Sequence, residues 1–246
     1  TLSRRYGRRS RGFRVANNKD NAATIGDEPD QMFLKFGNNV SVTGGEDRAF
    51  AIPNILQEFT DTECIILDDA FQHRAVNPSL SILLTEYDRP FTRDLVLPAG
   101  NLREARKGAS RADIIVVTKC PSQKLAMDSF TDDIRKYAGD KPVFFTTVKY
   151  GELIPFGNLK LPTGKIIIVT GIANPTPLAE YLKMRFDVIR HIRYGDHHAF
   201  SDSEVKDIHY EAQQMSDASI VTTEKDMVRL RAFGSVADHP WFYIPI

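Results

Sequence analysis

Short apolar runs rich in Ile and Val recur along this chain, separated by segments of helical length, and that alternation restricts the fold more than any other feature. Cys64–Leu67, Leu80–Thr85, Ala112–Thr118, Pro142–Val148, Lys165–Thr170, Phe186–Arg193, Ser219–Thr223 and Trp241–Ile246 read as strands. Helical periodicity or capping marks Asp47–Phe59 (despite Pro53), 122–138, Thr176–Arg185, a segment from Ser201 or Asp202 to Met215, and a start at Glu224. The expected architecture is α/β, a mostly parallel sheet flanked by helices with a second, smaller α/β domain. Residues 151–164 contain three Gly and two Pro and read as a boundary. The expected domains are therefore 1–155 and 156–246, with Trp241–Ile246 returning to the boundary as a closing strand.

The run Cys64-Ile-Ile-Leu67 leads straight into Asp68 and Asp69, then Gln72, His73 and Arg74. A continuous apolar run suits a strand covered on both faces, and ligands of open α/β sheets bind beyond the carboxyl ends of the strands. Successive strand residues point to opposite faces. One of the two carboxylates is therefore expected to face a hydrated Mg²⁺ and the other to orient a water or a neighbouring side chain, since Mg²⁺ takes one or two carboxylates plus phosphate oxygens. An isolated Asp-Asp is more often just a solvated strand end; the acceptors and donors that follow it favour a site.

Net charge is zero, but residues 1–20 carry +6, leaving −6 on the rest. Six Arg within the first fourteen residues suit a phosphorylated substrate, a membrane surface or a nucleic acid, or form a plain solvated loop. Cys64 and Cys120 match no metal-ligand spacing and are expected to be buried reduced thiols in a cytosolic compartment. No apolar run approaches the ~20 residues of a membrane-spanning helix. Thr1-Leu-Ser3, without an initiator Met, reads as the end of a strand whose start lies upstream.

Ser3–Arg8, the turn Gly26-Asp-Glu-Pro29, Asp68–Arg74 and the Pro/Gly loop Leu97–Glu104 each follow or flank an expected strand. Arg side chains for phosphate, acids for Mg²⁺ and an acid to take a hydroxyl proton are the equipment of phosphoryl transfer. Asp196-His197-His198 offers a His to hold that acid. A Gly-x4-Gly-Lys-Ser/Thr cradle is absent from these residues. Two rival readings stay open on the residues alone. One is a metal-dependent phosphoesterase using Asp68, Asp69 and Asp196-His197-His198. The other is an RNA-binding module using the Arg-rich start, ranked last for want of an aromatic platform.

Seven segments occur in the order found in one known family: 2–8 (Leu-Ser-Arg-Arg-Tyr-Gly-Arg), 26–29 (Gly-Asp-Glu-Pro), 68–74 (Asp-Asp-Ala-Phe-Gln-His-Arg), 97–104 (Leu-Pro-Ala-Gly-Asn-Leu-Arg-Glu), 171–175 (Gly-Ile-Ala-Asn-Pro), 196–200 (Asp-His-His-Ala-Phe) and 222–226 (Thr-Thr-Glu-Lys-Asp). The chain thereby resembles the tetraacyldisaccharide 4'-kinases of bacterial lipid A synthesis, which resemble P-loop NTPases. Arg5 and Ala70 stand where that family usually has Gly, and Ala105 where Pro is common. The resemblance implies ATP and Mg²⁺ as cofactors and a phosphate-binding loop upstream of residue 2. It implies transfer of the γ-phosphate to the 4'-hydroxyl of tetraacyldisaccharide 1-phosphate, giving lipid IVA, at the cytosolic face of the inner membrane without nucleic acid. It implies Asp27 as base with His197 (or His198) beside it, and Asp69 and Glu104 on the Mg²⁺ side with Asp68. Gln72, His73 and Arg103 fall to the nucleotide or phosphate, and Arg4, Tyr6, Arg8 and Glu28 to the substrate.

Overall fold

A computed structural model of the chain describes residues 1–3, 12–121, 127–158, 161–215 and 218–246. It forms two compact units, Thr1–Asp68 with Tyr150–Ile246, and Asp69–Lys149. The second cut falls close to the expected boundary at 155/156; the first, between the two aspartates, coincides with no expected boundary.

The opening segment of the first unit contains β1 (Leu2–Ser3), β2 (Arg14–Val15), α1 (Ala22–Ile25), α2 (Asp27–Phe36), β3 (Thr43–Gly44) and α3 (Arg48–Glu58). Asp47 caps α3 by accepting from the Phe50 amide, as its place before an apolar-periodic run predicts. Ala51 and Ile55 bury one face of α3 against Leu2, with Ile52, Phe59, Ile65 and Leu67 around them. Phe50 and Leu56, apolar residues of the same helix, are exposed.

The segment 64–67 differs from expectation. It is extended and joins β1 through a parallel bridge at Leu2 and Leu67, but it is not a strand buried on both faces. Ile66 is 65% exposed and the Cys64 thiol is exposed. An apolar run needs a partner on each side and a layer on each face to become a central strand; β1 is only two residues long. Cys120 is buried as expected, and burial pushes its thiol pKa up.

The second unit contains β4 (Ile82–Glu86), a 3-10 turn (Arg106–Arg111), β5 (Ile114–Thr118), α4 (Met127–Ala138) and β6 (Val143–Phe145). Its three strands pair in parallel in the order β4-β5-β6. Ile115 and Val117 pack on Phe130, Ile134 and Ala138 of α4, whose apolar positions recur at helical spacing.

The chain returns to the first unit with β7 (Ile154–Pro155), β8 (Lys165–Thr170), α5 (Thr176–Lys183), β9 (Asp187–Arg193), α6 (Asp202–Gln214), β10 (Ser219–Thr223), α7 (Glu224–Leu230) and β11 (Trp241–Ile244). The sheet order is β7-β11-β10-β8-β9, parallel except for β7 against β11. The closing strand thus returns to the boundary segment, as its composition suggests. Alternation along β8 and β10 sends Ile167, Val169 and Ile220 toward Val205, Ile208 and Ala212 of α6. Ile166, Ile168 and Val221 face Leu178, Ala179 and Leu182 of α5. Both faces are covered, which is why these strands read as unbroken apolar runs. Ser201 caps α6 in a reciprocal box with Glu204. Helix α5 begins at Thr176 as expected, with Pro175 at its N-cap, and ends at Lys183, two residues short of Arg185.

His209 lies in the core under this sheet, accepting at Nε2 from Trp241 Nε1 at 2.8 Å and stacking on His239. Burial, then the neighbouring His239, lowers its pKa to about 4. Between pH ~6.5 and ~4 the unfolded imidazole binds a proton that the folded one refuses. Its stabilisation is therefore complete above pH ~6.5 and is lost as pH falls to ~4, at a cost on the order of 3 kcal/mol. His191, also lowered to about 4 by burial, acts with the same sign. Urea unfolding of wild type and His209→Gln across that window is expected to show a shallower pH slope for the variant; equal slopes would contradict this.

Candidate active site

In the first unit the turn expected at Gly26-Asp-Glu-Pro29 is instead the start of α2. Gly26 has φ of 97°, a left-handed conformation that suits glycine, and serves as C-cap of α1 and N-cap of α2. Asp27, Glu28 and Asp30 therefore fall in the first turn of α2, the helix end that favours acids. Cations of α7 and its C-cap meet them. Lys225 Nζ lies 3.5 Å from Glu28 Oε1, Arg229 Nη1 3.5 Å from Asp27 Oδ2, and Arg231 Nη2 3.0 Å from Asp30 Oδ1. Lys35 Nζ also reaches the buried Glu224 at 3.0 Å. Asp30 is fully buried, and burial raises its carboxyl pKa against the opposing pull of Arg231.

His197 joins this cluster from the loop after β9. Its Nδ1 stands 3.4 Å from Asp27 Oδ2, and its Nε2 stands 3.0 Å from Lys225 Nζ. Its backbone φ of 56° is unusual for a residue with a side chain and accompanies a 3.2 Å bond from its amide to the Gly171 carbonyl. His198 turns elsewhere: its Nε2 meets Glu204 Oε1 at 2.9 Å and its ring stacks on Tyr194. Of the two histidines, His197 is the one brought to Asp27.

Beneath this layer lies Asp226, fully buried. Its Oδ2 accepts from the Gly171 amide at 2.9 Å and from Thr223 Oγ1 at 2.7 Å, and its Oδ1 pairs with Arg229 Nη2. A Cβ on Gly171 would sit 3.0 Å from Asp226 Oδ1 and 3.3 Å from His198 Cβ, so a larger residue would push this layer apart. The segments 171–175, 196–200 and 222–226 thus converge on Asp27. Sequence reasoning gave no role to Lys225, Asp226 or Arg229. The capping spacing Thr223 to Asp226 and the i,i+3 pair Asp226 and Arg229 were the available signals.

In the second unit Asp69, also in the left-handed region with φ of 44°, receives both arms of Arg103 at 2.6 and 2.9 Å. Glu104 accepts from Arg111 Nη2 at 2.7 Å, with Arg74 Nη2 at 3.3 Å and Gln72 Nε2 at 3.5 Å. The Arg111 hydrogen bond, above all, holds the Glu104 carboxyl below the usual range. Arg111 also lies over the Phe71 ring and donates to the Phe71 carbonyl. Phe71, Gln72, Arg103 and Glu104 line one shallow pocket with Leu102 and Arg106. His73 lies in the same loop, and its Nε2 is buried. Asp68, the last residue of the first unit, accepts from Ser3 Oγ at 3.0 Å, and its carbonyl accepts from the buried Arg48. Arg4, Tyr6 and Arg8 lie outside the described residues. Among the described residues there is no group of three or more His, Cys, Asp or Glu placed to hold a metal ion, so nothing here supports the cage of the rival phosphoesterase reading.

The fold defines the class. It matches the crystal structure of the "apo" form of LpxK from Aquifex aeolicus in complex with ATP, with a TM-score of 0.70 and 26% identity, over 99% of this chain and 72% of that one. The protein is an α/β kinase of the P-loop NTPase-like class. The family model described as tetraacyldisaccharide-1-P 4'-kinase matches residues 1–246. The tetraacyldisaccharide 4'-kinase of Cytophaga hutchinsonii is 41% identical over 100% of this chain and 71% of its own length. That of Flavobacterium johnsoniae is 40% identical over 100% and 72%. The chain belongs to the tetraacyldisaccharide 4'-kinase family. That membership sets aside the phosphoesterase alternative.

Proposed function

We propose that the protein transfers the γ-phosphate of ATP to the 4'-hydroxyl of tetraacyldisaccharide 1-phosphate, giving lipid IVA. The observation that carries the reading beyond family membership is the Asp27–His197 contact, formed by two of the family's motifs within one compact unit. Asp27 accepts the hydroxyl proton as oxygen attacks phosphorus. His197 and Arg229 both approach Oδ2, so the proton goes to Oδ1, the oxygen neither of them takes. His197 orients the carboxylate. Glu28, Arg4, Tyr6 and Arg8 serve the substrate, and Gln72, His73 and Arg103 the nucleotide phosphates.

Asp69 and Glu104, now paired with Arg103 and Arg111, are the residues of the second unit that would hold Mg²⁺. Their hard carboxylate oxygens suit the ion, and Asp69 and Glu104 have side chains 54% and 21% exposed. Such an ion neutralises phosphate charge when bound. In this reading Thr1–Asp68 and Tyr150–Ile246, one compact unit, carry both the base and the histidine that orients it. Among the described residues no helix is long and apolar enough to cross a membrane. The acyl chains of the substrate stay in lipid, so the enzyme works at the cytosolic face of the inner membrane, where the +6 charge of residues 1–20 favours anionic headgroups.

Labelled phosphate transfer from ATP to tetraacyldisaccharide 1-phosphate in detergent micelles, with the full-length protein, tests the reaction; no labelled lipid from a protein that binds ATP would overturn it. In the same assay Asp69→Asn is expected to raise the magnesium concentration for half-maximal rate by roughly tenfold or more. An unchanged titration would remove Asp69 from the ion.

A further inference from the structure

We propose that Lys225 is a positioning residue that fixes the tautomer and ring orientation of His197, so that the imidazole presents Nδ1–H to Asp27. The inference rests on the phosphotransfer reading for its purpose and on the geometry of four side chains for its content. Lys225 Nζ lies 3.0 Å from His197 Nε2. An ammonium has donors and no acceptor, so a hydrogen bond at that distance requires an unprotonated Nε2. The single proton of the neutral imidazole then sits on Nδ1, which faces Asp27 Oδ2 at 3.4 Å. The opposite tautomer would aim an Nε2 proton at the ammonium and an Nδ1 lone pair at the carboxylate, and both contacts would be repulsive.

The ammonium is itself held. Glu28 Oε1 stands 3.5 Å from Lys225 Nζ, and Glu28 follows Asp27 in the first turn of α2. Asp27, His197, Lys225 and Glu28 therefore form a closed ring of contacts built from two helix starts and one loop. Lys225 is anchored from below as well, because its neighbour Asp226 is fully buried and tied to Gly171 and Thr223. Among the described residues the other charged groups near this pair are Asp196, whose Oδ2 lies 4.0 Å from Nε2, and Arg229, which reaches Asp27 Oδ2. Asp196 attracts a proton to Nε2 from 4.0 Å, and the ammonium, closer at 3.0 Å, opposes it. Lys225 thus keeps the carboxylate–imidazole couple in the one arrangement that leaves Asp27 Oδ1 ready to accept.

Side-chain nitrogen-15 NMR of the full-length protein, with His197 assigned by comparison with His197→Gln, reads the tautomer without any turnover. Wild type is expected to show His197 as the Nδ1–H form, and Lys225→Met to show it shifted toward the Nε2–H form. In steady-state kinetics Lys225→Met is expected to lose roughly ten- to a hundredfold in kcat with KM for lipid and ATP little changed. Lys225→Arg, which restores a donor, is expected to recover part of that loss. Circular dichroism and urea unfolding separate a folding defect from a positioning one. A wild-type Nε2–H tautomer, or a folded Lys225→Met with unchanged tautomer, overturns the inference. A wild type with the expected tautomer and no kinase activity would sink the phosphotransfer reading and leave the positioning role standing.

Discussion

Asp27→Ala is expected to lower kcat by roughly 10²- to 10⁴-fold, the usual contribution of a positioned general base, while ATP binding is nearly kept. The expectation follows from what the side chain touches. Its Oδ2 is taken by His197 and Arg229, and its backbone is fixed at the first position of α2 by Gly26. Removing the carboxylate deletes the acceptor and leaves His197, Lys225 and Arg229 around an empty place. His197→Ala is expected to cost less, since the base itself remains. Single-turnover rates at saturating ATP, with nucleotide affinity measured separately, check both. A kcat for Asp27→Ala within a few-fold of wild type would take Asp27 out of the base role.

The largest stability effect is expected at Asp226. Asp226→Ala leaves the Gly171 amide, the Thr223 hydroxyl and the nearly buried Arg229 guanidinium without their shared acceptor. Breaking one side of a buried ion pair costs about 3–5 kcal/mol, because the remaining charge stays in a poorly solvated place. Asp226→Asn, which keeps the volume and one acceptor oxygen, is expected to cost distinctly less. Urea unfolding of the three proteins decides: a change below about 0.5 kcal/mol for Asp226→Ala would mean that water already satisfies the site. The same variant is expected to slow turnover, since Arg229 bridges Asp226 to Asp27.

The parts of this fold that show in the sequence are those whose burial is uniform. Strands β8 and β10 are covered on both faces and read as unbroken apolar runs. The run 64–67 looks the same letter by letter yet lies partly open, because local apolarity does not say whether a neighbour stands on each side. Gly26-Asp-Glu-Pro29 reads as a turn from its composition. That a left-handed glycine there closes one helix and opens the next depends on α1 and α2 packing around Ile25, Met32 and Phe33. Pro29 is compatible with either outcome, since the first turn of a helix lacks intrahelical amide bonds. The Asp27–His197 pair was legible only through resemblance to a family. The contacts of Lys225 and Arg229 with Glu28 and Asp27 were not legible, because a salt bridge to a residue some 200 positions away leaves no local trace.

The aspartate and imidazole sit 170 positions apart in the chain, and residues 69–149 fold as a unit of their own between them. A growing polypeptide on the ribosome therefore carries only one half of the couple while the next 170 residues are added. The lysine that completes the ring comes later still, at the start of α7. Early termination or proteolytic clipping near Thr223 would accordingly leave an inert product, without the lysine and without the β11 strand that joins β7 to β10.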